Sequence, residues 1–249
     1  MTRTTDLTAP VHPPYPSTEP PPIWFLAPEG FFALPLAASP EERADRAQAF
    51  VRELYSRGDD TIWEPAAPYF AAMAELMGDT GLSYAAMGLF STSEQEPTPE
   101  GSVVRQDASE GAAQCVFTLA AIPTDHAGDD TDVVAQGVFA TLSNDPYNEV
   151  HWLDLPCGPA VACVTWRQFK INPNVTAKGE PTDLVTAQIQ VHVPFPTGPF
   201  TAVFTLFTAY VDQWAEFTEM MGAIMQTVSF VDPAEALSMD SSREPHEES

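Results

Sequence analysis

Leu184-Val185-Thr186-Ala187-Gln188-Ile189-Gln190-Val191-His192-Val193 is the stretch on which the fold turns. Val185, Ala187, Ile189, Val191 and Val193 alternate with Leu184, Thr186, Gln188, Gln190 and His192. That period of two predicts a strand with one face in a core and one face polar. Phe195-Pro196-Thr197-Gly198-Pro199 follows and turns the chain, since proline presets φ and glycine allows it to be positive. Thr201–Thr208 places Val203 and Phe207 on one face and Ala202, Phe204 and Leu206 on the other, the pattern of a strand in the middle of a covered sheet. Then Trp214, Phe217, Met221, Ile224, Met225 and Val228 recur every three or four residues, the apolar stripe of a helix.

Working outward, the ends of the chain differ from its middle. Residues 1–22 are rich in proline, serine and threonine, and residues 232–249 are acidic and polar. Neither has the apolar surface to offset the entropy of ordering, so both are expected to be disordered tails. Residues 23–231 are expected to form a single α+β domain.

Between residue 23 and the core stretch, short apolar runs at Ile23–Leu26 and Phe31–Leu36 read as strands boxed in by prolines. Ser39, Pro40 and Glu42 announce a helix, with Ser39 as cap and Glu42 closing a capping box. Its inner side is Ala47, Phe50, Val51 and Leu54, and Gly58 ends it. A second helix is expected to begin at Glu64 or Pro65, because a proline is tolerated only in the first turn. Strands follow at Leu82–Ser91 and Cys115–Ile122, separated by a loop over 94–109. A third helix is expected from Asp129 to Asn144, with Val133, Val134, Val138 and Leu142 inward. A hairpin then turns at Pro156-Cys157-Gly158-Pro159. Four helices and about eight hairpin-linked strands predict one antiparallel β-sheet flanked by helices.

The charge balance narrows the function. Against 35 acidic residues stand 10 basic ones. So negative a surface repels phosphate backbones and anionic lipid, which argues against nucleic-acid and membrane partners. It favours a basic protein partner, drawn in by the field. Arg43, Arg46, Arg52 and Arg57 crowd into the first helix, while bases are sparse from Asp59 onward. The first residues lack the apolar run of a secretory leader, so none is expected, and no run approaches the roughly 20 apolar residues of a membrane span. With three cysteines and no metal spacing, the expected state is reduced thiols in a cytoplasm.

Candidate chemistry is thin. Cys157 lies in a tight turn with His151 six residues before it, a pairing that could make a thiolate nucleophile. The neighbouring acids Glu149 and Asp154 would raise its pKa rather than lower it. Asp125, His126 and Asp129 could contribute to a cation site, although their spacing matches no known loop and the acids there also suit a helix cap. Gln188, Gln190 and His192 form a row of amides and an imidazole that could line a ligand or partner surface, or be the wetted face of a sheet. No nucleotide-binding loop, metalloprotease helix or nucleophile elbow is present, and no cofactor is expected.

Pro28-Glu29-Gly30-Phe31, and the closing helix and strand from Met221 to Phe230, resemble the Mog1/PsbP-like fold. The segments Phe50-Val51-Arg52-Glu53-Leu54-Tyr55, Trp152-Leu153-Asp154-Leu155-Pro156-Cys157-Gly158-Pro159 and Gln190-Val191-His192-Val193-Pro194-Phe195-Pro196-Thr197-Gly198 resemble an uncharacterised family of actinobacterial cytoplasmic proteins. The resemblance spans residues 23–232. It implies a Mog1/PsbP-like sandwich and a non-enzymatic accessory or partner-binding role, with no activity carried over. The expectation is therefore a cytoplasmic, non-enzymatic partner-binding or accessory protein with a basic protein partner. The alternatives are a small-molecule enzyme using Cys157 with His151, and a ligand sensor; the oligomeric state stays open.

Overall fold

A computed structural model describes residues 20–37, 39–78, 80–91, 112–124, 130–175, 179–180 and 182–234. Seven strands form one antiparallel sheet: β1 Phe31–Ala33, β2 Leu82–Ser91, β3 Ala112–Pro123, β4 Asn148–Leu155, β5 Gly158–Ile171, β6 Thr182–Pro194 and β7 Phe200–Thr208. Their spatial order is β1-β2-β3-β7-β6-β5-β4. Four α-helices join them: α1 Pro40–Leu54, α2 Asp60–Gly78, α3 Thr131–Leu142 and α4 Trp214–Gln226. This is the α+β architecture that the hairpin-rich pattern predicted. The stretch Leu184–Val193 lies in β6, and β7 is the middle strand of the sheet.

The two sides of the sheet bury different clusters. On one face α4 and the segment around Phe25 cover Phe117, Leu119, Val191, Val193, Phe204 and Leu206, all buried. Phe25 stands edge-on to Tyr84 at 5.2 Å and to Phe204 at 5.6 Å. These rings explain why Ile23–Leu26 is not the edge strand expected from its composition. Phe25 is drawn over the sheet face, and the segment is tied to the stretch after α4 by a bridge, Trp24 N–H to Ser229 O and back, each 2.9 Å, and by Leu26 N–H donating to Thr227 Oγ1 at 2.9 Å. In β2, Gly88 makes room for this core. A Cβ there would lie 2.5 Å from Cys115 Sγ and 2.7 Å from the Phe90 ring.

On the other face a smaller cluster of Leu34, Leu36, Phe50, Val51, Phe70 and Ala85 holds α1 and α2 over β1 and β2. α1 starts as the sequence dictates, with Ser39 Oγ accepting from Glu42 N–H at 3.1 Å and Pro40 in the first turn. α2 starts earlier than expected. The Asp59 carboxylate accepts from Thr61 N–H at 3.0 Å and caps the helix at Asp60, which leaves Pro65 and Pro68 inside it. Each proline removes one N–H from the ladder. Ala67, Phe70 and Ala74 packing against α1, together with the Trp63 Nε1–H bond to Tyr55 O at 3.1 Å, offset that loss.

α3 lies against β4, β5 and β6 on the same face as α1 and α2. Asp130 caps it, accepting from Asp132 N–H at 3.1 Å. Val134 is buried and Val138 and Leu142 are half-buried as expected; Val133 is exposed instead, and Ala135 is buried beside Val134. The tails expected at residues 1–22 and 232–249, apart from 20–22 and 232–234, and the loop expected over 94–109 lie outside the described residues.

Trp214 begins α4 half-buried, its ring 5.2 Å from Trp166, whereas Phe217 is fully buried. Phe217→Ala is expected to cost about 3–5 kcal/mol in chemical denaturation, and Trp214→Ala only about 1–2 kcal/mol, because the second side chain keeps part of its surface in water in the native state. Equal losses for both would contradict this placement of α4.

Candidate functional site

The ladders of β2, β3, β7, β6, β5 and β4 set side chains in rows across the helix-bearing face that α1, α2 and α3 share. One row runs Met87, Val116, Phe207, Gln188, Thr165, Asn148. The next runs Ala85, Thr118, Thr205, Gln190, Cys163, Val150. α1 and α2 cover the β1–β2 end and α3 the β4–β6 end. Between them β3 and β7 present Val116 at 40 % and Phe207 at 39 % exposure, beside half-buried Thr118, Thr205, Gln188 and Gln190. The expectation that β7 is covered on both faces therefore fails at Phe207. Among the described residues α1 and α2 are anchored over β1 and β2 and α3 over β4–β6, which leaves Val116 and Phe207 partly exposed between them.

The structure brings Gln188, Gln190 and His192 together on this face. Gln190 Nε2 donates to Thr205 Oγ1 at 3.4 Å. One row further on, His192 lies opposite Val203, and Thr201 is two residues along β7, opposite Pro194. Among the described residues, His192 Nε2 and Thr201 Oγ1 are both shielded from solvent and meet no hydrogen-bond partner. On neighbouring antiparallel strands such diagonal positions are about 7–8 Å apart. Burial pulls the His192 pKa below its ordinary value of 6.5, so the ring is neutral and can either donate or accept.

Cys157 and His151 are not brought together. Cys157 sits half-buried in the two-residue turn between β4 and β5 and packs against the larger core. His151 lies four residues back along β4 from the turn-closing Leu155, about 13 Å of extended chain. It is exposed, with Nε2 3.0 Å from the Glu149 carboxylate. Desolvation by burial pushes the Cys157 thiol up. The direction matches the sequence expectation, but the cause is burial rather than the neighbouring acids. Cys115 and Cys163 are buried, and burial raises the Cys115 pKa to about 12. Asp125, His126 and Asp129 lie outside the described residues. Among the described residues no group of three or more histidine, cysteine or acidic side chains could hold a metal ion.

Sequence reasoning did not single out Val116, Thr118, Thr201 and Thr205. Their alternation was visible, but nothing local says that β3 pairs with β7, which is what sets them beside Gln188 and Gln190.

No family model matches the sequence, and no curated protein matches it. Among solved structures, the chain is similar to LpqN of Mycobacterium tuberculosis, described as involved in cell envelope biogenesis. Identity is 14 %, the TM-score is 0.39, and the alignment covers 90 % of this chain and 91 % of that one. This comparison overturns the expected membership of a cytoplasmic actinobacterial family and the cytoplasmic placement that went with it: the likeness found is to a protein of envelope biogenesis. At that identity and score it assigns no activity, and the architecture stands on the strands and helices themselves. Among the described residues no helix is long and apolar enough to cross a membrane.

The placement of Cys157 makes a kinetic prediction. A raised pKa lowers the thiolate fraction at neutral pH, so alkylation should be slower than that of an ordinary free thiol and should rise steadily above pH 8. His151→Ala should leave the rate unchanged. A fast rate below pH 7 that depends on His151 would mean the two side chains meet.

Proposed function

We propose that this chain is a non-enzymatic accessory protein that binds a basic protein partner through the half of the molecule built on α3 and β4. The observation that carries this is the absence of any lysine or arginine from α3 and β4, which leaves the acids there without a counter-charge of their own. Residues 106–166 contain no lysine or arginine, and α3, β4 and their flanks carry Asp130, Asp132, Asp145, Glu149 and Asp154. The arginines of α1 belong to the opposite end, over β1 and β2. Several are engaged within the domain. Arg46 Nη1–H donates to Leu36 O at 2.8 Å, Arg43 lies 3.4 Å from the Glu75 carboxylate, and Arg52 stands over the Trp63 ring. A surface with one sign of charge at one end attracts and orients a partner of the other sign.

A test is selection of random peptides on the immobilised full chain. Lysine- and arginine-rich sequences are expected to be enriched on the wild type and lost on the double variant Glu149→Lys/Asp154→Lys, with binding that weakens as salt rises. Enrichment of neutral sequences, indifferent to the double variant, would overturn the proposal.

A second reading, a ligand sensor, has one observation in its favour: the buried and unpaired His192 Nε2 and Thr201 Oγ1. Leaving such groups without a partner costs about 1–3 kcal/mol each, and a neutral ligand bearing a hydroxyl or amide could satisfy both. In a thermal-shift screen of small neutral amides and polyols, a compound bound there should raise the Tm of the wild type and not that of Thr201→Val. A rise that survives both Thr201→Val and His192→Phe removes this reading. The enzyme alternative has no geometric observation behind it.

A further inference from the structure

β4 is the terminal strand of the sheet. It pairs with β5 on one side, and among the described residues no strand pairs with its other side. Its eight residues, Asn148–Leu155, include no proline, so nothing in the backbone forbids a further strand. Which of its groups face outward follows from the ladder. In an antiparallel pair, residues alternate between those that bond to the partner strand and those that turn their N–H and C=O away. Pro159 lies opposite Asp154 and has no N–H to give, which marks that pair as non-bonded. Asn148 N–H donates to Asp145 O at 3.1 Å instead of to β5, and it shares the parity of Asp154. Val150, Trp152 and Asp154 therefore turn their N–H and C=O to the outside.

The side chains beside this edge are acidic on both faces of the sheet. Glu149 lies on one face, and Asp154, which accepts from Trp152 Nε1–H at 3.0 Å, lies on the other. Trp152 is 37 % exposed, so its ring is open to a cation. An edge so charged is disfavoured for pairing with a second copy of this chain. β4 and its flanks carry no lysine or arginine, so a second copy would bring more acid to an already acidic edge and no base to offset it.

We propose that β4 is extended by a strand from the basic partner, an extended segment of alternating residues with lysine or arginine on at least one face, hydrogen-bonded to Val150, Trp152 and Asp154. The inference rests on the basic-partner reading and deepens it by naming the docking edge and the mode.

The test uses the full chain and a synthetic ten-residue peptide of alternating lysine and valine, compared with the same peptide N-methylated throughout. Methylation keeps the charge and removes every N–H. Affinity is read by fluorescence polarisation at low and physiological salt, and amide exchange by NMR. The unmethylated peptide is expected to bind about tenfold or more tightly than the methylated one, since roughly three backbone bonds are at stake. It should slow exchange at Val150, Trp152 and Asp154, and lose its affinity on Glu149→Lys/Asp154→Lys. Equal binding of both peptides, or protection elsewhere, overturns edge docking and leaves the basic-partner reading standing. No binding of either peptide overturns both. Protection of β4 that grows with protein concentration, without peptide, overturns the inference by assigning the edge to a second copy.

Discussion

The pairing of β3 with β7 is the contact on which the rest of the structure depends. Every other pair of neighbouring strands in the sheet from β2 onward is also consecutive in the chain. β3 and β7 are separated by α3 and three strands, and eight residue pairs from Val116↔Phe207 to Pro123↔Phe200 join them. The chain leaves β3, crosses to the far edge through α3 and β4, and returns strand by strand. Such a closure costs loop entropy before any contact rewards it. Burial of Phe117 against Phe204 and Phe25 on one face of this ladder compensates, with rings at 5.6–6.2 Å. Thr208 Oγ1–H to Gln114 O at 2.6 Å and Thr124 N–H to Pro199 O at 2.7 Å pin the two ends of the pair.

That closure also creates the strip between the helices. α1 and α2 are held to β1 and β2 by their own cluster, and α3 is held to the returning strands. The seam where the two halves of the sheet meet is left with threonines, glutamines and two part-exposed apolar residues. On the opposite face α4 spans the seam, because Phe217, Met221, Ile224 and Met225 have a continuous apolar floor beneath them. Among the described residues the sheet is thus sealed on one side and only partly covered along its middle on the other.

The same topology separates the arginines of α1 from the base-free stretch. The bases of α1 go to the β1 end because Phe50 and Val51 dock beside Leu34 and Leu36. The base-free stretch that includes α3 and β4 goes to the other edge because the return path begins there. A composition with acid in excess becomes a molecule with a base-free acidic edge and, at the opposite end, a helix whose arginines are matched by its own acids and occupied by carbonyls, carboxylates or an aromatic ring.

Local pattern was enough for what depends on neighbours in the chain. The alternation of Leu184–Val193, the Ser39–Glu42 cap and the stripe of α4 each describe a face or an end that a few residues specify by themselves. Errors arose where tertiary contacts override such signals. Phe25 left the sheet for the core, α2 accepted two interior prolines because α1 pays for them in packing, and α3 buries Ala135 while Val133 faces solvent. The site residues divide in the same way. Gln188, Gln190 and His192 were legible in the sequence as one polar face. That Thr118 and Thr205 lie beside them, that Thr201 and His192 are buried without partners, and that Cys157 and His151 stay apart followed only from the β3–β7 and β4–β5 registers. The physical reason is range: periodicity reports which way a side chain points from its own strand, and only the long-range pairing of strands decides what it meets.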